Sequence, residues 1–94
     1  MKTILVVDDE KTLRVNLCEM LTFEGFKVIE AENGVVAIKL ARLHSLDMII
    51  CDVAMPEMDG FEVLTRLKAD SATSALPVRL AEAKSHLPPC WTRS

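Results

Sequence analysis

The stretch TILVVDDE, residues 3–10, carries β-branched and aliphatic side chains straight into three acids. An apolar run of this length without alternation is the pattern of a strand in a parallel sheet covered on both faces. Asp9 or Glu10 suits the cap or first turn of a following helix, whose apolar positions Leu13, Leu17, Met20 and Leu21 repeat at helical spacing. Gly25 is suited to end that helix. The unit therefore reads as strand, acidic corner, helix.

The same unit recurs along the chain. Phe26–Ala31 is expected as a second strand, Asn33-Gly34 as a turn and Val36–Leu43 as a second helix. Asp47–Cys51 returns as a third strand, and Gly60–Ala69, with Phe61, Val63, Leu64 and Leu67, as a third helix. Asp70–Leu76 is a polar connector and Pro77–Ala81 is expected as a fourth strand. Strands alternating with helices at this spacing form βαβ units, hence a doubly wound α/β parallel sheet. Ligands of such sheets bind at the carboxyl ends of the strands. Asp8 and Asp9 end the first strand and Asp52 ends the third, so the three meet in one crevice if those strands are neighbours.

Composition narrows the class. A chain of 94 residues makes one small domain, 1–94, near the lower edge of the usual ~100–150 residues. Half the residues are apolar and 27% are charged, but no apolar run approaches the ~18 residues of a membrane span. The N-terminal apolar run meets two aspartates at once and does not read as a signal peptide, so a cytoplasmic location is expected. A net charge of −3 with no Lys/Arg run argues against a nucleic-acid surface. Cys18, Cys51 and Cys90 lack metal-ligand spacing and read as reduced thiols.

Three carboxylates in one crevice repel one another, so either their pKa values rise or a cation sits among them. Mg²⁺ is the economical answer, since it takes one or two carboxylates, a carbonyl and waters, and favours a phosphate oxygen as a further ligand. An Asp beside such an ion can act as nucleophile and form an aspartyl phosphate. Pro56 and Gly60 fix a loop after Asp52 that offers backbone groups to metal and phosphate. Blander readings exist for each feature. Asp8-Asp9-Glu10 also suits a helix N-terminus, and MPEMDG (55–60) also suits a simple turn. Met55 and Met58 read as packing, and His44 and His86 as surface residues. An aspartate-nucleophile phosphatase of another α/β family would place D-x-D after the first strand, which this chain lacks. A nucleotide-binding flavodoxin-like protein would show a Gly-rich loop there.

The segments ILVVDDE (4–10), GFKVIEAENGVVAI (25–38) and IICDVAMPEMDGFEVLTRLK (49–68), in this order and separation, resemble the receiver domain of two-component response regulators. The resemblance implies a flavodoxin-like (CheY-like) fold. It makes Asp52 the phosphoacceptor for a histidine kinase or phosphotransfer protein, and so a signalling domain rather than an enzyme. It makes Asp9 a direct Mg²⁺ ligand, with Asp8 beside it or holding a metal-bound water, and adds the backbone carbonyl of Ala54. The alternative reading is a pseudo-receiver that only docks on partners.

Beyond about residue 78 the chain departs from the family. Aligned without gaps, Glu82 stands where receivers of this kind place a Ser or Thr, and Arg79 falls in a strand that the family keeps apolar. The resemblance therefore covers 1–78, and 79–94 reads as a divergent tail such as a shifted reading frame or premature junction would produce. Lys84 does not match the family lysine, and Pro88-Pro89 and Trp91 do not continue a helix that joins the core. The expected sheet is thus incomplete, in order 2-1-3-4, with the fifth strand and last helix missing. A face left bare at ~25 cal/mol per Å² predicts marginal folding, or self-association as a homodimer or domain swap.

Overall fold

The computed structural model describes residues 1–81. Four strands alternate with three helices: β1 (Thr3–Val7), α1 (Lys11–Phe23), β2 (Lys27–Ala31), α2 (Gly34–Leu43), β3 (Met48–Asp52), α3 (Gly60–Ala69) and β4 (Val78–Ala81). All pairings are parallel and the sheet order is β2-β1-β3-β4. The strand order and the doubly wound architecture expected from the sequence are therefore present. Glu82, Lys84, His86, Pro88-Pro89, Cys90 and Trp91, on which much of the departure from the family rests, lie outside the described residues.

Register explains why the strands read as continuous apolar runs. Leu5 pairs with Ile49, and Val7 with Cys51, on one face; Val6 pairs with Ile50 on the other. Leu5, Val7, Ala31, Ile49 and Cys51 pack with Ala37 and Ala41 of α2 and Val63 and Leu67 of α3. Ile4, Val6 and Ile50 pack with Leu17, Cys18 and Leu21 of α1. Both faces of β1 and β3 are covered, which suits near-continuous burial of Ile4 to Val7. Truncating any fully buried large side chain of this set, such as Leu67, costs about 2–5 kcal/mol.

Local chemistry sets the helix ends. Gly25 takes φ +97°, and the N–H groups of Gly25 and Phe26 donate to the carbonyls of Thr22 and Leu21. This double bond pattern is a Schellman ending, which leaves α1 cleanly before β2. Asn33 caps α2 by accepting the Val36 N–H at 2.9 Å, so the expected turn at Asn33-Gly34 is the start of the helix. Asp59 caps α3 through the Glu62 N–H at 2.9 Å. Glu10 occupies the cap position of α1 but makes no side-chain cap bond there. The capping expected from Asp9 or Glu10 is replaced by a turn in which the Asp8 carboxylate accepts the Glu10 N–H at 2.9 Å.

Two further expectations change in detail. β3 includes Asp52 as its last residue, paired with Ala81, so the acid ends the strand from within it. Arg79 pairs with Ile50 on β4 and is exposed, so the strand carries a charge without burying it. Its guanidinium costs little where water reaches it.

Candidate functional site

The site is built by two adjacent strands that end together. Val7 lies opposite Cys51, so the residues that follow, Asp8 and Asp52, emerge side by side at the carboxyl edge of the sheet. Strand direction, register and the absence of an intervening strand together bring about what their distance in sequence hides. Asp8, Asp9 and Asp52 each present a carboxylate oxygen, and these atoms all lie within 4.8 Å of one another. Asp52 is 2% and Asp8 4% exposed, while Asp9 is half-buried. The geometry thus gathers the three acids singled out from the sequence.

Each acid is held by the backbone around it. The N–H of Asp8 donates to Ala31 O at 3.2 Å, extending the β1–β2 ladder by one bond. Asp52 Oδ1 accepts the N–H of Ala54 at 3.3 Å, and Val53 N–H donates to Ala81 O at 3.0 Å. Ala54 is exposed and lies two residues past the acid, in the loop that carries chain from β3 to α3. Gly60 N–H closes this loop on Val53 O at 2.9 Å. Within it, Glu57 takes φ 67° and the Met58 N–H donates to Pro56 O at 2.8 Å. A left-handed residue that is not glycine costs about 1 kcal/mol, so the loop holds its shape against local preference.

Glycine is required where α3 begins. A Cβ on Gly60 would lie 2.6 Å from the carbonyl oxygen of Asp52 and 2.9 Å from Val53 Cα. The helix start is therefore pressed directly onto the acid-bearing backbone. At Gly34 the obstruction is side chain: a Cβ would lie 2.6 Å from Met58 Sδ and 2.8 Å from Val63 Cγ2. Met55 is buried in the core and Met58 packs against it, so both methionines are packing residues, as read from the sequence.

The buried thiols are suppressed chiefly by desolvation, with nearby carboxylates adding to it. Burial, then the Asp52, Asp8 and Asp59 charges, push the Cys51 thiol up to about 12. Burial and Glu30 push Cys18 up to about 11, with Arg14 opposing. Both are free and buried, and the Cys51 thiol donates to Asp52 O at 3.4 Å. They behave as small apolar side chains. His44 is exposed at the end of α2, away from the acids.

Sequence reasoning missed one cation. Arg14, in the first turn of α1, donates from Nη1 to Asp8 O at 2.8 Å and from Nε to Glu30 Oε1 at 2.9 Å. Its place one turn into a helix that follows an acid cluster was the one available signal, and that signal does not name its partners. The Asp59 cap was also missed, although Asp59-x-x-Glu62 has the spacing of a capping box.

The acid set has the chemistry of a hard-cation site: oxygen donors only, anionic, and gathered from two rigid strand ends. Known proteins are similar to this chain in sequence and fold. The chain is 45% identical over 85 residues to histidine kinase P4 of Formosa agariphila, covering 90% of this chain and 6% of that one. It is 39% identical over 84 residues to protein PilH of Pseudomonas aeruginosa, covering 89% of this chain and 69% of PilH. Among solved structures, the N-terminal domain of a response regulator receiver protein from Methanoculleus marisnigri superposes with a TM-score of 0.85 at 36% identity, covering 95% of this chain and 72% of that one. No helix among the described residues is long and apolar enough to cross a membrane. Residues 4–88 match the response regulator receiver domain, and the chain belongs to that family of two-component signalling domains.

Proposed function

We propose that this domain binds Mg²⁺ and accepts a phosphoryl group on Asp52 from a histidine kinase or phosphotransfer protein in the cytoplasm, relaying the signal by a change of conformation. The observation that carries this reading is the convergence of three carboxylate oxygens within 4.8 Å at the carboxyl edge of a parallel sheet. Such a cluster is costly alone and favourable around a divalent cation. Asp8, Asp9 and Asp52 would hold the ion together with the carbonyl of Ala54. When bound, Mg²⁺ supplies neutralising charge for the transferred group.

The chain's own residues do the rest. The Ala54 N–H on Oδ1 fixes the rotation of the Asp52 carboxylate. An Asp52 oxygen attacks phosphorus, a new O–P bond forms, and the P–N bond to the donor's imidazole breaks with its electron pair leaving on nitrogen. Gly60 keeps α3 close enough to hold the 53–60 loop over the acid. The loop's strained Glu57 marks a segment able to rearrange once charge is added at Asp52.

Intact-mass spectrometry after incubation with a small-molecule phosphodonor, with and without Mg²⁺, tests the reading. A Mg²⁺-dependent gain of one phosphoryl group in this chain, absent from Asp52→Asn, is expected. Mg²⁺ binding without any gain in mass would instead leave a docking module that no longer accepts phosphate.

A further inference from the structure

Arg14 joins three elements at the corner where the acids emerge. It projects from the first turn of α1, its Nε–H pairs with Glu30 on β2 at 2.9 Å, and its Nη1–H reaches the carbonyl of Asp8 at 2.8 Å. The Arg14 side chain is 13% exposed and the Glu30 side chain 46%, so the fork is sunk while its counter-charge faces water. The geometry points to Arg14 as the positioning residue for the metal-binding carboxylates, an inference that rests on the Mg²⁺ reading of the acid cluster.

Arg14 holds an atom of the peptide that both acids share. The Asp8 carbonyl belongs to the peptide that joins Asp8 to Asp9. Rotation of that peptide plane swings the backbone of both acids, because its carbonyl carbon belongs to Asp8 and its nitrogen to Asp9. The opposite side of Asp8 is fixed by its N–H on Ala31 O, and its carboxylate is fixed by the Glu10 N–H. Arg14 adds a constraint on the carbonyl. Glu30 steers the guanidinium by occupying Nε, so that Nη1 is delivered at one angle. The fixed fork of a guanidinium makes two such bonds at once, whereas a lysine ammonium on a flexible stem does not reproduce that geometry.

The sign of the effect on metal affinity separates positioning from charge. Arg14 is a cation close to a cation site, so Coulomb repulsion alone makes its removal tighten Mg²⁺ binding. Positioning makes its removal weaken binding, in the way that lost outer-shell partners weaken metal sites by ~10–100-fold. A purely structural role in docking α1 lowers the melting temperature and leaves the affinity of the folded protein unchanged.

The test is isothermal titration with Mg²⁺ on the full chain, at a temperature where circular dichroism shows each protein folded. Arg14→Met, which keeps the stem and removes the fork, is expected to bind at least about tenfold more weakly. Arg14→Lys, which keeps the charge and at most one bond, is expected to fall between the two and to serve alone should the Met variant not fold. Unchanged or tighter binding in either folded variant overturns the proposal. Wild-type protein that binds no Mg²⁺ overturns both this inference and the reading of the cluster, whereas wild-type binding with unaltered variants sinks this inference alone.

Discussion

Gly60 abuts the carbonyl of Asp52 so closely that a methyl group on it would sit 2.6 Å from that oxygen. The start of α3 and the end of β3 are thus one rigid corner. Gly60→Ala is expected to cost about 1–3 kcal/mol by overpacking and to weaken Mg²⁺ binding, because the Asp52 backbone must move. Gly25→Ala is the control. Gly25 has φ +97° but nothing within 4 Å of its would-be Cβ. It should lose about 1 kcal/mol through backbone strain alone, with Mg²⁺ affinity intact. Urea melts and Mg²⁺ titrations on both variants check the contrast; equal metal affinity in the two would contradict it.

If the acid cluster holds Mg²⁺ as proposed, withholding the ion should expose the repulsion among its carboxylates. In EDTA, Asp52→Asn is expected to be as stable as the wild type or about 1 kcal/mol more stable, since one of three clustered carboxylates is neutralised. In millimolar Mg²⁺ the order should reverse, because only the wild type gains binding free energy. Thermal melts in both buffers read the crossing, and a variant that gains from Mg²⁺ as the wild type does would refute it.

The crowding at Gly34 has a different remedy. Its obstruction is the flexible Met58 side chain, with Val63 behind it. Gly34→Ala should cost about 1–3 kcal/mol, and adding Met58→Ala should return part of the loss by emptying the space that the new methyl needs. A double-mutant cycle by chemical denaturation measures this coupling; strict additivity would count against the contact.

The thiols give a pH prediction. Cys51 and Cys18 are raised to about 12 and about 11 in the folded chain, from an ordinary value of 9.0. Raised values mean that the folded state holds these protons more tightly, so this stability is complete below pH 9 and is lost as pH climbs through the folded values. Near neutral pH both should resist iodoacetamide in the native protein and react on unfolding, as followed by peptide mass spectrometry. Rapid native alkylation of Cys51 at pH 7.5 would contradict its burial.

Much of this fold was legible because parallel strands leave plain marks. The unbroken run Ile4–Val7 and its twin Met48–Cys51 announced strands covered on both faces, and β1 and α3 fall where the pattern placed them. The acids were legible for the same reason: they interrupt apolar runs at the strand ends. What stayed hidden depended on partners distant in sequence. Arg14 finds Glu30 and the Asp8 carbonyl only once α1 folds back over β1 and β2, and no local period encodes that. Arg79 read as misplaced because the expectation took β4 to be covered, whereas the residue faces water. The α1 cap position falls on Glu10, one of the two residues expected there, but its side chain makes no cap bond; the Asp8 carboxylate takes the Glu10 N–H instead, which only side-chain geometry decides.

Because β1 lies between β2 and β3, its first partner in chain order is β2, and β3 joins only after α2 has been laid down. During synthesis, Asp8 and Asp9 therefore emerge long before Asp52, and a nascent chain that has paired β1 with β2 owns two of the acids but not the third, the proposed phosphoacceptor. Metal capture by the proposed three-acid site would be a late event, limited by the non-local closure of β3 onto β1. On the proposed reading a half-made domain is accordingly silent, and a phosphoryl group would be accepted only after the central strands have met.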